Sequence, residues 1–66
     1  MDYAKLQKLI NQYTFEGNVE QLNIIHDKLK AAPEEEAQIM AYMMTNNFES
    51  ASMNAQAKAI ASQPQQ

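Results

Sequence analysis

Residues 34–63, EEEAQIMAYMMTNNFESASMNAQAKAIASQ, run without a glycine or a proline. Pro33 stands just before them, where the first position of a helix tolerates its missing N–H. Glu34, Glu35 and Glu36 place negative charge at the end of the helix that favours it. The triplet reads as helix initiation, with a cation or a basic partner as the alternative. Within the stretch, Ala37, Ala41, Met44, Phe48, Ala51 and Ala55 follow one another at spacings of 4-3-4-3-4, which is a heptad seam. Asn46-Asn47 interrupts the helical signal, because asparagine side chains compete for backbone hydrogen bonds and favour caps and turns. A break or kink at 46–47 is therefore expected, although a break would waste the seam that crosses it.

Two shorter helices precede this stretch. Tyr3, Leu6, Leu9, Ile10 and Tyr13 share one helical face. Asp2 suits the N-cap, and Thr14-Phe15-Glu16-Gly17 ends the segment, with Gly17 free to adopt a positive φ. Phe15 is expected to fold back from this turn onto the core. Asn18 and Gln21 are spaced as a capping-box-like pair. Val19, Leu22, Ile25, His26 and Leu29 then repeat the same periodicity, and Lys28 and Lys30 suit a C-terminal turn. The helix should stop near Ala31, because Ala32 precedes a proline. Residues 51–61 are mostly small or polar and are expected to fray when free.

Composition narrows the class. The chain has 66 residues and no cysteine. A single core of this size seldom supplies more than ~3–5 kcal/mol, and disulfides or structural metals often supplement it. Here there is no thiol, and one histidine cannot fill a zinc site. The remaining supplement is another protein chain, a copy of itself or a different partner. The net charge of −3 disfavours a nucleic-acid backbone as the main partner. All the basic residues are lysines, so no arginine fork is present to read guanine or clamp phosphate. No apolar run approaches the length of a membrane span. The N-terminus has no charged-then-apolar leader pattern, and a cytoplasmic setting is the default expectation.

Candidate chemistry is sparse. His26 is the only histidine and carries any phosphotransfer hypothesis. Its neighbours Lys28 and Lys30 resemble the surroundings of the phosphorylated histidine in histidine-phosphotransfer domains, with Lys30 one position later than in that pattern and Ala31 where a glycine is expected. The plainer reading is a histidine at the edge of the apolar face. No glycine-rich phosphate loop or paired base and nucleophile is visible, no cofactor is implied, and the chain is read as a non-enzyme. The methionines are more informative. Methionine is flexible and polarizable and serves adaptable binding surfaces as well as cores. Ile39 and Met43 point one way, while Met40 and Met44 are rotated by about 100°. One face can pack on the first two helices and the other is left for a partner. The expected partner-binding residues are Ile39, Tyr42, Met43, Phe48 and Met53.

A second resemblance spans most of the chain. Asp2-Tyr3, Val19-Glu20-Gln21-Leu22, Pro33-Glu34-Glu35-Glu36, Tyr42 and Ser52-Met53-Asn54 are similar to the small nucleoid-modulating proteins of the Hha/YmoA family. That resemblance implies an all-helical protein acting on a larger DNA-binding protein. Thr45-Asn46-Asn47-Phe48 stands where the family has an acidic-basic stretch, and an Ala/Gln tail replaces its aromatic end.

The expected fold is all-α: a small bundle of three to four short helices, about 2–13, 18–31, 33–46 and 47–61. The last two are alternatively one kinked helix. Residues 1–61 are expected to form one domain and 62–66 a disordered tail. The expected core is Leu6, Leu9, Ile10, Tyr13, Val19, Leu22, Ile25, Leu29, Met40, Met44 and Phe48. The expected function is a small protein–protein interaction module, a regulator, adaptor, chaperone-like subunit or inhibitor, docking through its Met/aromatic helix face. Phosphotransfer through His26, a self-assembling structural subunit and a Hha/YmoA-like modulator remain as alternatives.

Overall fold

The computed structural model describes residues 2–62. Over these residues the chain is all-α, with helices α1 (Tyr3–Glu16), α2 (Val19–Ala31) and α3 (Glu35–Ala61). The expected tail lies outside the described residues apart from Ser62. No helix among the described residues is long and apolar enough to cross a membrane.

Local chemistry sets each boundary of the first two helices. Asp2 caps α1 by accepting from the Lys5 N–H at 3.1 Å. The helix ends at Gly17, whose φ of 73° is left-handed and whose N–H bonds back to the Thr14 carbonyl. It runs past the expected stop at Tyr13 because the Thr14 hydroxyl donates to the Ile10 carbonyl within the helix rather than breaking it. Asn18 caps α2 by accepting from the Gln21 N–H at 3.3 Å. At the other end of α2, the two N–H groups of the Gln38 side-chain amide are shared among the carbonyls of Leu29, Lys30 and Ala32, with the shortest contact, 2.6 Å, to Ala32. One side chain from α3 thus serves acceptors that a helix C-terminus leaves open. Pro33 is not the first helical residue as expected. Glu34 occupies the N-cap without a side-chain capping bond, and Pro33 belongs to the connection that turns α2 into α3.

The larger difference is at Asn46-Asn47, where α3 continues unbroken for 27 residues. The Asn47 amide is engaged elsewhere, donating to Thr14 Oγ1 at 2.9 Å. A side chain held by tertiary structure no longer competes for its own backbone. Further along, Asn54 donates to the Thr14 carbonyl at 2.9 Å and the Lys58 ammonium to the Glu16 carbonyl at 3.1 Å. At the opposite end, the Tyr3 hydroxyl donates to Glu34 at 3.1 Å. These contacts show that α3 runs parallel to α1 and antiparallel to α2, with the α1–α2 hairpin lying along one side of it.

The core between hairpin and long helix is Ile10, Leu22, Ile25, Leu29, Ala37, Met40, Ala41, Met44 and Ala51. The heptad seam of α3 supplies its inner side, with Phe48 and Ala55 half-buried in the same row. Its alanines let the hairpin approach closely. A Cβ built on Gly17 would stand 2.7 Å from the Ala55 nitrogen. Leu6, Tyr13 and Val19, expected in the core, pack around it half-buried. Leu9 is exposed, because it sits about 100° around α1 from Ile10. Phe15 does not fold inward. With α1 extended to Glu16, it lies about 140° from Ile10 and its ring is 76% exposed, with the Lys58 ammonium 5.5 Å from its centroid.

Candidate docking surface on the long helix

The inner and outer sides of α3 are both apolar, which distinguishes it from the one-sided α1 and α2. Met40 and Met44 turn inward and are buried. Ile39, Tyr42, Met43 and Met53 turn outward and are 52%, 81%, 61% and 69% exposed. Ile60 extends the same side toward the C-terminus. Four of the five residues expected to face a partner therefore share the outer side of one uninterrupted helix. Phe48 does not join them. It belongs to the inner seam, and its ring meets the His26 ring edge-on, with centroids 5.4 Å apart.

Continuity of the helix matters to this surface. A break at 46–47 would have turned Met53 and Ile60 away from Ile39 and Met43. In the straight α3, about 40 Å long at 1.5 Å per residue, they form one strip. The strip is also nearly uncharged, since Glu49 is the only ionisable acidic or basic residue between Glu36 and Lys58. Surface helices normally carry charge on the side facing water, and depletion of charge marks the centres of protein interfaces.

A second apolar surface, and a concave one, lies on the hairpin. On the hairpin, away from α3, a groove of about 400 Å³ runs between α1 and α2. Its floor is Leu6, Leu9, Tyr13, Ile24, Ile25 and Leu29, and Asp2, Lys5, Gln21 and Lys28 stand at its rim. Leu9 and Ile24 are its exposed apolar members. Leu6, Leu9, Tyr13, Ile25 and Leu29 are expected in the core from their spacing, and nothing in the spacing of Ile24 marks it as part of a groove.

Elsewhere the groups that could perform chemistry are dispersed. His26 is half-buried against Phe48. Among the described residues no three His, Cys, Asp or Glu side chains gather where a metal could be held. Among the described residues one titratable group is clearly displaced from its ordinary behaviour. Partial desolvation, the hydrogen bond to Glu34 and the negative charges of Glu34 and Glu36 raise the Tyr3 phenol above its usual pKa of 10.0. That arrangement closes the end of the bundle and touches neither apolar surface. The chain matches no protein-family model, no curated protein and no solved structure.

Proposed function

We propose that this chain is a small non-enzymatic interaction module, which docks a helical protein surface against the outer side of α3. The observation that carries this reading is the exposure of Ile39, Tyr42, Met43 and Met53 on a helix whose opposite side is already packed. Four large apolar side chains in one strip flanked by a single charge, Glu49, exceed the scattered apolar exposure of an ordinary surface. Helix-face docking of this kind uses anchors separated by whole helical turns. The module acts by occupying another protein, as a regulator, adaptor or inhibitor does, in a cytoplasmic setting and without direct contact to nucleic acid or membrane.

Affinity capture with the tagged chain tests the proposal, using Met43→Glu and Met53→Glu as face variants and Lys8→Glu as a control on α1. Proteins captured through the face, copies of the chain included, should be recovered by the unmodified chain and by Lys8→Glu. They should be lost from both face variants, while far-ultraviolet circular dichroism shows all four proteins equally helical. Equal recovery by the face variants would remove the outer side of α3 as the docking surface.

A further inference from the structure

We propose that the occupant of this face is the same face of a second copy, laid antiparallel about a two-fold axis near residue 48. The inference rests on the docking role of α3 and names what docks there. The outer side is itself a heptad seam: Ile39, Met43, Asn46, Ser50, Met53 and Ala57 are spaced 4-3-4-3-4 along the unbroken helix. Side chains at this spacing interlock with those of a facing helix. Reversed against itself, the row is chemically self-complementary. Ile39 faces Ala57, a large residue against a small one. Met43 faces Met53. Asn46 faces Ser50, so the two polar positions meet each other instead of an apolar side chain. A two-fold interface requires this kind of match between a surface and its own reverse.

Charge selects the direction. Side by side and parallel, two α3 helices would bring the Glu34, Glu35 and Glu36 triplets together. Antiparallel, each acidic N-terminal end lies beside the end of the partner that carries Lys58, and the helix dipoles oppose one another. Glu49 then approaches its own copy near the axis, as the one like-charge pair in the contact. The hairpins lie on the far side of each α3 and leave the seam open. Along a seam of roughly 30 Å, a helix pair removes on the order of 600 Å² from each chain, at the lower end of specific interfaces. An area of this size fits a dimer in the micromolar range, formed and dissolved with concentration.

The absence of cysteine from the chain makes single cysteines clean probes. Sedimentation equilibrium of the full chain over about a hundredfold concentration range should show a reversible monomer–dimer equilibrium. Met43→Glu and Met53→Glu should abolish it, and Glu49→Gln should tighten it, with helicity unchanged in each. Met43→Cys and Met53→Cys chains, one of them isotope-labelled, are then mixed in equal amounts and oxidised. Antiparallel pairing should give the mixed disulfide in excess of the half that random pairing yields. An excess of the two self-disulfides would replace the antiparallel arrangement by a parallel one and overturn the proposal. A monomer at every concentration would overturn self-pairing altogether. In that event, capture of a different protein that is lost with Met43→Glu would leave the docking role of α3 standing on its own. Capture unaffected by that variant would remove both.

Discussion

The Asn47 side chain on α3 reaches across to Thr14 on α1 and donates to its hydroxyl at 2.9 Å, while that hydroxyl donates in turn to the Ile10 carbonyl at 2.7 Å. This relay holds α3 straight at the point where its sequence invites a break. Asn46, one residue earlier, is exposed. The two neighbours should therefore respond oppositely to alanine. Asn46→Ala gains helix propensity, roughly 0.5 kcal/mol, and should stabilise the monomer. Asn47→Ala gains the same propensity but loses a part-buried bond worth about 1–2 kcal/mol, and should destabilise by about 0.5–1.5 kcal/mol. Urea unfolding of dilute samples measures both, and a stabilised Asn47→Ala would show that the relay is energetically idle.

Gly17 is the position least tolerant of a side chain. Its φ of 73° disfavours any L-residue, by roughly 1–2 kcal/mol. An added Cβ would also meet the Ala55 backbone, with the nitrogen at 2.7 Å and Cα at 2.8 Å. Backbone cannot rotate out of the way, so Gly17→Ala should lose at least ~2 kcal/mol. A combined Gly17→Ala and Ala55→Gly variant should recover little of it. Full rescue by Ala55→Gly in a thermal melt would show the clash to be with the Ala55 methyl alone.

Met43 and Met44 adjoin in sequence and differ in environment. Met44 is buried against the hairpin and Met43 points to water. Met44→Ala should cost about 2–5 kcal/mol, and Met43→Ala should stay within about 0.5 kcal/mol in the monomer. Chemical denaturation at low concentration separates them, and similar losses at both positions would mean that α3 has rotated about its axis.

The Tyr3–Glu34 contact makes stability depend on alkaline pH. The folded chain holds the phenol protonated more firmly than the unfolded chain does, because Tyr3 is partly desolvated and bonded to a carboxylate. The contribution is therefore complete below the unfolded value near 10 and disappears as pH rises through the raised folded value. Tyr3→Phe should unfold more easily at neutral pH and show a shallower fall in melting temperature as pH rises above about 10. An unchanged alkaline slope in Tyr3→Phe would assign the fall to other groups.

Sequence periodicity revealed most of this fold because helices announce themselves locally. The Asp2 and Asn18 caps and the inner seam from Ala37 to Ala55 are all written within a few residues of where they act. What stayed hidden depends on partners remote in the chain. Nothing near Asn47 signals that Thr14 will occupy its amide. Nothing near Gln38 signals that it will serve three carbonyls at the end of α2. The direction of Phe15 is hidden for a related reason: whether α1 stops at Tyr13 or runs to Glu16 decides which way its ring points. Of the proposed docking surface, the division between Met40/Met44 and Ile39/Met43 is legible from the helical repeat. The groove between α1 and α2 is not, because it arises from how closely two helices lie.

Thr14 is the point where α1 meets the middle and the second half of α3, since it accepts from Asn47 through its hydroxyl and from Asn54 through its carbonyl. In a chain made from the N-terminus onward, Thr14 therefore waits for Asn47 and Asn54, which follow it 33 and 40 residues later. The α1–α2 hairpin can form early, but Ile10, Leu22 and Leu29 then have nothing to shelter them. Their cover arrives with Met40 and Met44, and its fastening arrives later still with Asn54 and Lys58. A chain truncated after Pro33, before α3 begins, should be a hairpin with an open apolar flank, sensitive to proteases and to holding chaperones, and the arrival of α3 is the event that closes it.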